Sequence, residues 1–92
     1  MDDEKSKYNA LVDEIAEYNP EALLADGFDA ALIGVVFRAT KEPLALYNYE
    51  KCIEILMDDG LDYAEAVEWF EFNTLGAWVG DHTPAFAIVF SN

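Results

Sequence analysis

The chain has 92 residues, enough for one small domain and too few for two cores. It carries 19 Asp and Glu against 5 Lys and Arg, a formal charge of −14, yet 53% of its residues are hydrophobic and 14% aromatic. That balance excludes an acidic disordered tail, which lacks aromatics, and a nucleic-acid binder, which needs a basic patch. One cysteine and one histidine exclude a disulfide scaffold and leave little for catalysis built on either residue.

Residues 1–5 are charged and expected to fray. From Ser6 a helical pattern begins. Tyr8, Leu11, Val12, Ile15 and Tyr18 share one face, and Asp13, Glu14 and Glu17 fall on the other. Asn19-Pro20 ends this helix, because the residue before proline avoids the helical region. The same pair is equipped to start a short helix over Glu21–Ala25, with Asn19 as N-cap, Pro20 in the first turn and Gly27 as the stop. Ala31–Ala39 reads as a strand whose unbroken apolar run suggests burial on both faces or a central place in a sheet. After a turn at Thr40–Pro43, Leu44–Tyr47 makes a shorter strand, so 31–47 is a hairpin, with Pro43 suiting an edge.

Asn48 is placed to cap a helix over Tyr49–Asp58, whose apolar face is Tyr49, Cys52, Ile53, Leu56 and Met57 and which Asp59-Gly60 stops. Asp62 and Glu65 have capping-box spacing for a helix running to about Thr74, with Tyr63, Ala66, Val67 and Phe70 on one face. Gly76 and Gly80 punctuate a loop, and Thr83-Pro84 leads into a last strand, Ala85–Phe90. This order predicts one small α+β domain of two layers, helices packed on a short three-stranded sheet, with the last strand beside Ala31–Ala39.

The start Met1-Asp2-Asp3-Glu4-Lys5 has neither the basic opening nor the apolar run of a signal peptide. The apolar stretches Ala30–Phe37 and Ala85–Phe90 fall far short of the roughly 20 residues that span a bilayer. The net charge would be repelled by an anionic membrane surface. A cytoplasmic protein that avoids membranes is the expectation.

Three constellations are candidates for chemistry. Asp58, Asp59 and Asp62 surround Gly60, but aligning that glycine with an EF-hand loop puts Ile55 and Met57 at ligand positions and Ala66 at the last one, so the motif fails. The plainer reading is that Asp58 and Asp59 end one helix and Asp62 caps the next. Cys52 lies on an apolar helix face and reads as a small core residue. Asp81-His82 could orient an imidazole, though neighbours in a Gly/Pro loop more often make a turn. No metal, cofactor or catalytic residue is assigned, and the chain is not expected to be an enzyme.

Trp69 and Phe72 lie off the apolar stripe of their helix, and Trp78 follows in a glycine-flanked loop. Either that helix is central and wrapped by sheet and helices, with Trp78 folded over it, or it exposes an aromatic anchor. Glu50, Glu54 and Asp58 recur every four residues, and Glu65, Glu68 and Glu71 every three. These rows are either a solvated face or a mimic of a nucleic-acid backbone. One row offers a charge per ~6 Å of helix rise against one per ~3.4 Å along a DNA strand, so mimicry would need two rows side by side.

The segment from Tyr49 to Pro84 carries a specific signature. Lys51-x-Ile53-Glu54, Tyr63-x-x-Ala66, Glu68-Trp69-Phe70-Glu71-Phe72-Asn73, Gly76-Ala77-Trp78, Gly80 and Thr83-Pro84 resemble the core of small acidic proteins encoded by tailed bacteriophages and prophages, and Leu24–Arg38 looks similar too. The resemblance implies a phage origin and action inside a bacterial host, and it brings no activity, cofactor or site residue with it. The expected function is therefore a binding protein in the host cytoplasm that docks on a basic surface of a host protein. In its sharper form it inhibits a nucleic-acid-binding or defence enzyme by mimicking DNA, as anti-CRISPR and anti-restriction proteins do. Glu50, Glu54, Asp58, Glu65, Glu68 and Glu71 are the expected contact charges, with Trp69 and Trp78 as anchors. The alternative is a structural or accessory phage protein that acts as a homo-oligomer such as a homodimer; a metal-dependent enzyme on Asp58, Asp59 and Asp62 is a third reading.

Overall fold

The computed structural model describes residues 3–90. Of the five residues expected to fray, Met1 and Asp2 lie outside the described residues, and residues 3–5 already belong to helix α1 (Asp3–Tyr18). Leu11, Val12 and Ile15 turn inward as their spacing predicts, and Ile15 is fully committed to the core.

No second helix starts after Tyr18. Asn19 is only 3% exposed. Its Oδ1 accepts the Glu21 N–H at 3.0 Å, its Nδ2 donates to Pro43 O at 2.9 Å, and the same nitrogen lies 3.0 Å from His82 Nδ1. The side chain thus joins α1 to the hairpin and to a late loop. The chain turns at Pro20-Glu21, where the Ala22 N–H donates to Asn19 O at 3.1 Å, and it runs on without helix or strand to Ala25, whose N–H donates to Tyr47 Oη at 2.7 Å. Long-range partners for these polar groups outweigh the weak local preference for a helix. Gly27, at φ +88°, turns the chain into a 3₁₀ turn (Asp29–Ala31) that leads to the sheet.

The domain is α+β, with three helices and a mixed three-stranded sheet in the order β1-β2-β3. Strands β1 (Leu32–Val36) and β2 (Leu44–Asn48) form the expected antiparallel hairpin. Strand β3 (Ala85–Ala87) pairs in parallel with β2, not with β1. The unbroken apolar strand is therefore at an edge, and the strand that follows Pro43 is central, the reverse of the expectation. Asn48 is both the last residue of β2 and the cap of helix α2 (Tyr49–Asp58), so the chain leaves the sheet straight into a helical crossover. A crossover of this kind returns the chain parallel to the strand it left, and β1 already fills the other side of β2. Pro43 precedes the paired residues, so its missing N–H removes nothing from the ladder. On β1 the register steps from Leu32↔Tyr47 to Gly34↔Leu46, leaving Ile33 as an outward bulge.

Both predicted caps are present. Asn48 Oδ1 accepts the Lys51 N–H at 3.2 Å. Asp62 Oδ1 accepts the Glu65 N–H at 2.8 Å while Glu65 Oε1 accepts the Asp62 N–H at 2.9 Å, a complete capping box for helix α3 (Tyr63–Phe70). Beyond Phe70 the helix does not stay α-helical to Thr74. It widens into a π-helical turn (Glu71–Leu75), closed by the Gly76 N–H on Glu71 O at 2.9 Å. A Cβ at position 76 would sit 2.9 Å from that same oxygen, so only glycine fits the return.

Phe70 is the centre of the core. It is fully buried and meets Phe28, Tyr49 and Phe86 edge-on, with ring centroids 5.1–5.5 Å apart. Tyr47, Cys52, Ile53 and Leu56 complete the contact between the sheet and α2. No described helix is long and apolar enough to cross a membrane.

Candidate docking surface

The segment Tyr49–Leu75, comprising α2, α3 and the π turn, carries eight of the 19 carboxylates and one of the five cations. Half of the net charge therefore lies on fewer than a third of the residues. All eight carboxylate residues are exposed. The one cation, Lys51, faces Glu54 at 3.6 Å. Arg38 and Lys41 are occupied elsewhere. Arg38 Nε donates to Glu42 O at 2.7 Å and its Nη1 to Asp81 O at 3.0 Å, and Lys41 Nζ lies 3.3 Å from Asp81.

The expected contact charges divide between different grooves. Glu50 and Glu54 border one with Tyr49, Met57, Tyr63 and Ile88. Glu65 and Glu68 border another with Leu61, Trp69, Phe72 and Asn73. Glu71 stands beside Tyr49, whose hydroxyl donates to Oε2 at 3.3 Å. Burial first, and the Glu71 charge second, raise the Tyr49 pKa above its ordinary value. Asp58 is exposed at the end of α2 and borders neither groove. The α2 and α3 rows thus face separate hollows.

The aromatics decide between their two readings. Trp69 is 43% exposed, Phe72 82% and Trp78 73%. The wrapped central helix is overturned: α2, with the rings of Phe28 and Phe86, covers the Ala66 and Phe70 side of α3 and leaves its outer side open. Trp69 forms a ridge, because its other flank borders a second hollow of about 480 Å³ with Phe28, Val79 and Phe86. Trp78 borders neither hollow beside Trp69. Its loop is held at the base, where the Leu23 N–H donates to His82 O at 3.1 Å and Thr83 Oγ1 donates to Gly80 O at 2.7 Å.

Phe72 is the residue that sequence reading did not assign. Glu65, Glu68, Trp69 and Phe72 stand at i, i+3, i+4 and i+7, the same period that marks a core stripe. Here that period falls on the outer face, so two carboxylates and two aromatics share one groove.

The other candidates are structural. Cys52 is fully buried, and burial pushes its thiol up to about 12, so it keeps its proton at neutral pH and does not act as a thiolate. His82 takes Asn19 on Nδ1 and Glu21 at 3.4 Å on Nε2, so Asp81 is not what orients the ring. Asp59 ends α2 through its backbone and Asp62 caps α3. Among the described residues, no group of three or more His, Cys, Asp or Glu is placed to hold a metal ion. Comparison of the chain with protein-family models, curated proteins and solved structures finds no match.

Proposed function

We propose that the chain is a phage-encoded acidic binding protein that docks, in the host cytoplasm, on a basic surface of a host protein that handles nucleic acid or serves in defence. One observation carries this reading: exposed Trp69 and Phe72 share a groove with Glu65 and Glu68, and no described lysine or arginine pairs with either carboxylate. Charge that is not answered within the molecule can speed encounter and select a basic partner, while a central aromatic supplies holding energy. The resemblance of Lys51–Pro84 to phage proteins supports the setting. The test is affinity capture from bacterial lysate at low and raised salt, with and without added duplex DNA. A basic partner should be retained at low salt, released as salt screens the contact, and displaced by the duplex. Capture indifferent to salt, or none, would overturn the reading.

A second reading, a homodimer, has its own support in the uncharged end of β3. The strand ends at Ala87, short of the expected Phe90, and the residues that follow it, Ile88, Val89 and Phe90, are more than half exposed, Phe90 by 89%. Sedimentation across micromolar concentrations distinguishes a stable dimer from a monomer awaiting a partner.

A further inference from the structure

We infer that the groove on the outer face of α3 reads arginine: it receives a guanidinium from the protein partner, stacked on the Trp69 indole and paired with Glu65 and Glu68, an assignment that rests on the docking reading above. Charge selects a cation. Two carboxylates one helical turn apart border the groove, and among the described residues no cation answers them. The apolar walls then select among cations. Leu61, Trp69 and Phe72 would strip water from whatever enters. A lysine ammonium is a strongly hydrated point charge and resists that loss. A guanidinium is weakly hydrated on its faces, stacks on an indole, and still directs N–H groups in its plane toward carboxylates.

The site is largely built before a partner arrives. Glu65 is held by the capping box, which engages Oε1 and leaves Oε2 outside it. Asn73 Nδ2 donates to Trp69 O at 3.0 Å, which fastens the start of the π turn beneath the groove. A second copy of the chain suits the groove poorly, because it brings the same −14 charge and its single arginine, Arg38, is already engaged with Glu42 O and Asp81 O. A nucleic-acid phosphate is repelled outright.

The experiment uses the full chain and two synthetic peptides of equal length and charge, one built on arginine and one on lysine, with a neutral peptide as control. Affinity is followed by calorimetry and by tryptophan fluorescence in a Trp78→Phe background, where Trp69 is the only reporter. The arginine peptide should bind about tenfold more tightly than the lysine peptide. Trp69→Ala should abolish that difference, and Trp69→Phe, which keeps an aromatic face, should restore part of it. Glu65→Gln/Glu68→Gln should weaken both peptides and shrink the arginine advantage; glutamine at 65 preserves the capping box, so folding is not the variable. Equal affinity for both charged peptides overturns the arginine site and leaves the acidic docking reading standing. Binding of all three peptides alike overturns both. An arginine advantage that survives Trp69→Ala moves the site elsewhere and overturns this assignment, as does a dimer in which Trp69 is shielded from quencher.

Discussion

Asn19 shows how much a single buried polar side chain can organise. Its two terminal atoms reach Glu21 N, Pro43 O and His82 Nδ1, which belong to three stretches of the chain. Because Oδ1 is engaged by Glu21 N–H, the amide nitrogen is the atom that faces Pro43 O, and the orientation is fixed by the network. Locally, Asn-Pro is a helix-start signal; nothing in it points to positions 24 and 63 residues away. Truncation by Asn19→Ala leaves a partly buried carbonyl and a partly buried imidazole without their donor. We expect it to cost about 2 kcal/mol, read as a lower urea midpoint with an unchanged slope.

At the scale of elements, local chemistry was legible and partnership was not. Asn48 and Asp62 are readable as caps from the sequence because a cap is a contact between residues three apart, and both bonds are present. Asp62→Ala should cost about 1 kcal/mol, while Glu65→Gln should leave the melting temperature nearly unchanged; thermal unfolding of the two variants checks the contrast. Sheet order depends instead on which strand the crossover returns beside. The apolar run Leu32–Val36 resembles a central strand in composition, yet it lies at an edge with Ile33 bulged outward. The π turn after Phe70 was equally hidden, because its Gly76–Glu71 closure needs a glycine whose reason becomes visible only in the close backbone approach.

The molecule as a whole combines a dense aromatic and aliphatic core with a surface of uncompensated carboxylates. Its core holds two groups whose ionisation burial opposes: Cys52 and Tyr47, both pushed up to about 12 from 9.0 and 10.0. In the Tyr47 case the bond from the Ala25 N–H pulls the other way but does not prevail. Each native pKa lies above its unfolded value, so the native state binds more protons at alkaline pH. The stability they contribute is intact below about pH 9 and is lost as pH climbs toward 12. Circular dichroism against pH should show alkaline unfolding in that window, and Cys52→Ala should make the decline shallower by removing one of the two protons.

The sequence by itself determined the places of the three α-helices and the caps of α2 and α3, the hairpin, the burial of Cys52 and the excess of acid on α2 and α3, while the short helix expected over Glu21–Ala25 does not form. Each of these depends on residues within a turn or two of one another, or on composition alone. Tertiary structure decided the rest: the central place of β2, the role of Asn19, and which side of α3 remains open. A helical period marks a face without saying whether protein or water lies against it. The pairing of Glu65 and Glu68 with Trp69 and Phe72 therefore acquired meaning as a site only once the sheet and α2 had covered the opposite face.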